Sequence, residues 1–414
     1  MKKLFILIGV LGTVLLLGAA GWYFSTGDLR EAAAELEQAR EDALALSLPT
    51  AAGSVSGPVD PEDPKAQSLI SSAVSITDSD SSPSADDFQV IGTEMDEWLA
   101  AHSAQIVMWD EVSGVEKWPA DTELTATEYD SVLTGGLLLM EDARSQAAKG
   151  EYETARARYQ GALNLSALVE GAHPIAGFKT RCELDNLIYQ SMIRMCQELT
   201  DKRAAIAIVS DLSREKRTTD ALPGLMRQLI EADMEKVRDL ATRGGLQIGG
   251  GDGAPQGPQS AEGVEARFLQ AAITVFKEQN KNLETWAGAY AATNAAIAEV
   301  KDDDRPASWA VTRSFDYGDT LGLGAISETW RRLAFIAASL AESKRSTQSY
   351  PGELPVTGEL GIDPFTGEPF NYSNAGIGYH VYTVGIDGLD AGGVKTEATA
   401  DSVRDDFGIR HDGR

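Results

Sequence analysis

Residues 147–169 read AAKGEYETARARYQGALNLSALV. One apolar-periodic segment stops at Gly150 and another starts directly after it. In the second, Tyr152, Ala155, Tyr159, Ala162 and Leu163 recur at three- and four-residue steps, the spacing that lines one face of an α-helix. Glycine at the junction admits the tight reversal between two helices. The stretch therefore predicts an αα-hairpin, and the flanking sequence extends the helical pattern in both directions.

Upstream, a helix is predicted over Ser131–Ala148. Before it, VIGTEMDEWLAAHSAQIVMWDEV sets Ile91, Met95, Trp98, Leu99, His102 and Ile106 along one side of a single helix. Downstream, helices are predicted over 175–199, 201–211, 221–243, 261–281 and 283–301. A last one runs from Ser327, read as its N-cap, to about Ser346, with Trp330, Leu333, Ala337, Leu340 and Ala341 as its apolar stripe. It must stop before Tyr350-Pro351, because the residue preceding a proline avoids helical geometry. The Gly150 turn with Ala155, Tyr159 and Ala162 resembles a tetratricopeptide unit, although no clean second copy follows at about 34 residues. The glycine-rich stretch GGLQIGGGDGAPQGPQ at 244–259 lacks the Gly-Lys-Ser/Thr of a phosphate loop and reads as a flexible connection.

Charge narrows the function classes. The chain has 414 residues with 36 basic and 63 acidic side chains, a net charge of −27. Such a surface repels phosphate backbones, and the adjacent cations Arg331-Arg332 and Lys344-Arg345 are helix pairs rather than a basic patch, so no nucleic-acid partner is expected. The two cysteines, Cys182 and Cys196, fall on one predicted helix roughly 21 Å apart, too far for a disulfide, and read as buried small hydrophobes. The four histidines are dispersed: His102 in a helix, His173 before Pro174 in a loop, His380 mid-strand and His411 in the tail. Neither HExxH nor GxSxG occurs.

The N-terminus bears on compartment. Met1-Lys2-Lys3 precedes LFILIGVLGTVLLLGAAGWYF, residues 4–24, an uncharged run long enough to span a bilayer. The flanking lysines place the short end inside and the bulk outside the cytoplasm. A cleaved signal peptide, ending near Gly18-Ala19-Ala20, is the competing reading. The retained anchor is preferred because the apolar run continues through Phe24. Beyond residues 1–27 comes a juxtamembrane helix, 28–47, whose Leu29, Ala32, Leu36, Ala39, Ala43 and Leu46 form a short heptad seam. The seam suits packing on the protein itself or weak homo-oligomerisation. Residues 48–87 are an acidic Pro/Ser-rich linker with a short helix near Ala66–Ile76. A helical domain over 88–326 and a C-terminal module over 327–414 complete the expected order. The fold class is thus mainly α, with an N-terminal transmembrane helix and a small C-terminal α+β module carrying a short antiparallel sheet.

That module contains YPGELPVTGELGIDPFTGEPFNYSNAGIGYHVYTVGIDGLDAGG, residues 350–393. Asp363-Pro364 and Gly367 predict a turn, Phe370 and Tyr372 open one strand, and Tyr379–Val384 form the next, with Asn374, Gly376 and Gly378 between them. The stretch resembles the C-terminal region of the major pseudopilin of bacterial type II secretion. The resemblance implies a calcium ion held after the last strand by main-chain oxygens and Asp side chains. The matching positions are Thr383, Val384 and Asp387, with Asp390 in the same loop. Hard oxygen donors of this kind suit calcium. A turn stabilised by its own hydrogen bonds explains the same residues. After Gly393 the pattern departs: Glu397, Asp401, Asp405 and Asp406 are present without clear register. The leader also lacks the Gly-Phe cleavage site and acidic fifth residue of a prepilin, so the chain is not expected to be a pilin subunit. In layout it resembles a group of membrane-anchored bacterial proteins to which no activity is attached.

These features lead to the expectation of a non-enzymatic scaffold or partner-binding protein in the inner membrane. Its bulk would be extracytoplasmic, with envelope proteins as partners and an association with a secretion or pilus-like assembly. The alternatives are a metal-dependent extracytoplasmic hydrolase built from dispersed carboxylates and a receptor with a ligand groove between helices.

Overall fold

A computed structural model describes residues 33–46, 64–76, 92–119, 124–215, separate positions between 222 and 295, 317–374, 376–386, 390, 392 and 406–412. The segment 4–24, the loop 244–259 and Asp387 lie outside these residues. Among the described residues no helix is long and apolar enough to cross a membrane.

The chain divides into two compact units. The first comprises 1–56, 226–278 and 294–316. It contains α1 (33–45), whose Leu36, Ala39 and Ala43 are buried and Leu44 exposed; Leu46, just after it, is half-buried, and Leu29 and Ala32 of the predicted seam lie outside the described residues. Arg40 on α1 pairs with Glu265 at 3.1 Å.

The second unit comprises 57–225, 279–293 and 317–414. Its elements are α2 (Pro64–Ile76), α3 (Thr93–Ala101), α4 (Ser103–Ser113), α5 (Ala126–Ala148), α6 (Tyr152–Val169), a 3-10 turn (Glu170–Ala172), α7 (Pro174–Glu198), α8 (Arg203–Leu212) and α9 (Tyr317–Thr347). The chain is mainly helical, with a small antiparallel sheet near the C-terminus. The predicted hairpin is α5–α6, turning at Gly150 with φ +86°. Thr125 and Glu128 form a capping box that starts α5 earlier than the apolar pattern suggested. In α5, Gly135 and Gly136 lie against the Trp109 ring and Leu184, leaving no room for a Cβ. These two positions let α4 and α7 approach the α5 backbone.

Two helix expectations are corrected. The run from 88 is not one helix: it breaks at His102, whose Nδ1 lies 2.8 Å from the Trp98 carbonyl oxygen. The last helix starts at Tyr317, not at Ser327, so the expected module boundary at 327 falls inside α9. Ser327 is buried mid-helix beside Glu328, Thr329, Arg331 and Arg332, all buried. Helix α9 packs on α7 and α8 and also carries the C-terminal module, through the 3-10 turn Glu359–Gly361 and strand β3.

The sheet has the order β1-β2-β3, antiparallel throughout, from Asn371–Asn374, Tyr379–Thr383 and Phe407–His411. The first two strands match the predicted hairpin. The third, which sequence reading left in the tail with His411, pairs Phe407 with Thr383 and His411 with Tyr379. Tyr379, Val381 and Thr383 alternate inward on β2, joined by Phe407 and Ile409 from β3. The Phe407 ring lies 5.5 Å from that of Trp330 on α9, closing the sheet onto the helices.

Candidate functional site

The turn before β1 is built around Asp363. Its carbonyl accepts from the Gly367 amide at 2.8 Å and its amide donates to the Glu368 carbonyl at 2.7 Å. Gly367 adopts φ +76°, a geometry that favours glycine. The Asp363 carboxylate is buried and accepts from the Phe365 amide at 2.9 Å, from the Thr383 hydroxyl at 2.7 Å and from the Val384 amide. Burial pushes this carboxyl above its ordinary range, against the pull of these hydrogen bonds and of Arg332.

Behind the turn stands Glu328, fully buried and shared by two arginines. Arg331 donates to it at 2.6 Å and Arg332 at 2.7 Å. Burial alone would raise its carboxyl, but the two guanidinium groups outweigh burial and hold it below the usual range. Arg332 also donates to the carbonyls of Glu359 and Ile362, at 2.6 and 2.7 Å, and Arg331 to the carbonyl of Ser213 at the end of α8, at 2.6 Å. One carboxylate thus aims two cations at the carbonyls of two backbone segments.

This framework holds Thr383 and Val384, two of the residues singled out for calcium. Thr383 turns its hydroxyl inward, donating to Asp363 and accepting from the Gly385 amide at 3.3 Å, and Val384 is buried. Asp390 accepts from the Tyr382 hydroxyl at 3.2 Å and from the Gly392 amide at 2.9 Å. Asp406, brought alongside by β3, is also close enough to Tyr382 to raise its hydroxyl; burial contributes most to that shift, followed by Asp390. The Tyr382 phenol thus donates to Asp390, and Asp406 directly precedes the strand paired beside it. These oxygen donors fit a hard cation in kind. Among the described residues, no three His, Cys, Asp or Glu side chains meet closely enough to hold a metal.

A second feature was not marked by any motif. A cleft of about 700 Å³ opens between residues 113–118 and 164–171. Val115, Trp118, Ala167 and Leu168 give it an apolar wall, and Asn164 and Glu170 supply polar groups. Glu170 pairs with Arg181 of α7, which lies 3.8 Å from Asp185, itself bonded to Ser166. Burial pushes the Glu170 carboxyl up, opposed by Arg181. Behind the cleft, a Cβ at Gly177 would stand 2.5 Å from the Val169 carbonyl oxygen and 2.8 Å from that of Glu170. A Cβ at Gly171 would stand 3.0 Å from that of Trp118. The sequence signal was Lys117-Trp118-Pro119, an aromatic in a turn between helices.

The histidines do not converge. His102 lies against Trp98, His380 stacks on Tyr382 at 4.9 Å and His411 packs on the touching pair Tyr350 and Tyr379, at 5.9 and 5.8 Å. His173, read as a loop residue, is the N-cap of α7. Cys182 and Cys196 are free and buried on one continuous helix, as expected. No family model, curated protein or solved structure matches this chain.

Proposed function

We propose that the chain is a non-enzymatic partner-binding protein of the bacterial envelope. Residues 4–24 would anchor it in the inner membrane, and the tetratricopeptide-like α5–α6 hairpin would present its interaction surface toward a secretion or pilus-like assembly. The observation that carries this reading is the cleft at 113–118 and 164–171. It is open and amphipathic, large enough for several side chains of a partner segment, and it lies at the end of that hairpin. A photo-crosslinking residue at Ala167 of the full chain, in membranes, tests it. An adduct with an envelope protein is expected at Ala167, absent from a control at exposed Glu368 and lost in Trp118→Ala. Equal labelling at both positions, or none at Ala167, overturns the reading.

In the same reading, calcium steadies the C-terminal module through Asp387, Asp390 and the main-chain oxygens of Thr383 and Val384. The carboxylate of Asp390, held at the Tyr382 hydroxyl and the Gly392 amide, supports it. Calcium is then expected to raise Tm by a few degrees and magnesium to do less, with the rise abolished in Asp387→Ala. A parent protein whose Tm ignores calcium removes the ion from the account.

A further inference from the structure

We infer that His173 makes the cleft acid-sensitive, an inference that rests on the cleft being the partner site. His173 occupies the N-cap of α7 with extended backbone, φ −161° and ψ 138°, and Pro174 follows at the first helical position. Proline has no amide hydrogen, so the first donors left over are those of Ile175 and Ala176. Both point to His173 Nδ1, at 3.3 and 3.2 Å. Asn, Asp, Ser and Thr do this work with an oxygen that stays an acceptor across neutral and mildly acidic pH. An imidazole accepts at Nδ1 only while neutral. Protonation turns that nitrogen into a donor and sets a positive charge at the positive end of the helix dipole.

The consequence reaches the cleft through close backbone contacts. The first turn of α7 is pressed by Gly177 onto the carbonyls of Val169 and Glu170. Glu170 lines the cleft, and Gly171 abuts Trp118 on its other side. When the cap is lost, the turn that holds Glu170 and Gly171 in place loosens. The charged groups nearest in these elements are Glu170 on the 3-10 turn, Lys179, Arg181, Glu183 and Asp185 in the first half of α7, and Glu116 and Lys117 on the opposite wall. Glu170, Arg181 and Asp185 are engaged with one another, whereas the Ile175 and Ala176 amides rest on His173.

Hydrogen exchange on the full chain in detergent, corrected for the intrinsic pH dependence of exchange, tests the cap. Parent, His173→Asn and His173→Ala are compared at pH 7.5 and 5.5. Protection over 174–178 is expected to fall roughly five-fold in the parent at the lower pH, to stay unchanged in His173→Asn, and to be low at both values in His173→Ala. Equal losses in parent and His173→Asn overturn the cap as a switch. The crosslink at Ala167 is then read at both pH values. A yield that falls with pH in the parent but not in His173→Asn supports control of the cleft, and a yield independent of pH overturns it. Failure of any crosslink to form overturns the partner site alone, because the exchange measurement does not involve a partner.

Discussion

Glu141 on α5 is buried beside Arg144, Arg194 and Glu198. Removal from water pushes its carboxyl up, and the two arginines only partly offset this. A carboxyl whose folded pKa exceeds its unfolded value of about 4.3 destabilises the folded state while ionised. That penalty is relieved as pH falls through the raised folded value. Glu141→Gln removes the penalty at every pH, so its stability minus that of the parent is expected to shrink between pH 7 and pH 5. Paired urea titrations measure this, and a difference that grows on acidification contradicts the assignment. At this scale the sequence was legible where a residue acts on its neighbours and opaque where it acts across the fold. The Asp363 turn could be read from Asp-Pro and Gly367. Its bond to Thr383 could not, because a hydroxyl twenty positions along the chain carries no local mark. His173 was missed for a different reason: histidine is a rare cap, and His-Pro reads as a loop.

The start of a helix is hard to read where polar residues are buried along it. Helix α9 is the clearest case. Thr320, Ser327, Glu328, Thr329, Arg331 and Arg332 are buried in it, so its polar residues erase the periodicity that marks a surface helix. A polar Ser followed by Glu then resembled a helix start. Helix α5 presents the converse problem, since Gly135-Gly136 looks like a weakness in a helix. Glycine inside a helix costs about 1 kcal/mol relative to alanine, so Gly135→Ala would stabilise an isolated α5. In the folded chain the added methyl would overlap the Trp109 ring, and overpacking of this kind costs about 1–3 kcal/mol. The net expectation is a loss of up to about 2 kcal/mol, read as a lower denaturation midpoint. An unchanged or higher midpoint would show that α4 can withdraw from α5 without cost.

The second unit is closed by its own end. Strand β3 is far in sequence from β2, and its register depends on glycines that have little meaning until the sheet exists. A Cβ at Gly408 would overlap the Val381 carbonyl and one at Gly378 the His411 carbonyl, so only glycine lets the two strands meet. The sequence reading assigned no strand to the tail, where five residues of strand follow an acidic run. Once paired, β3 buries Phe407 against Trp330 and Phe365 and Ile409 against β2, while the Gln197 side chain donates to the Arg410 carbonyl at 3.1 Å. Removing residues 406–414 uncovers Trp330, Val381 and Tyr379 together. Loss of the Phe407 and Ile409 burial alone is worth about 3–6 kcal/mol, so the truncated chain is expected to melt well below the parent. The difference should also depend on pH. Burial, helped by Lys344 and opposed by Asp412, holds the His411 imidazole below its ordinary value of 6.5. The strand's contribution is therefore complete above that value and declines as pH falls through it, because the unfolded chain takes up the proton first. Thermal melts of parent and truncated chain at pH 7.5 and 5.5 should show the gap between them narrowing at the lower pH. Equal melting temperatures at pH 7.5 would mean that the sheet does not need its third strand.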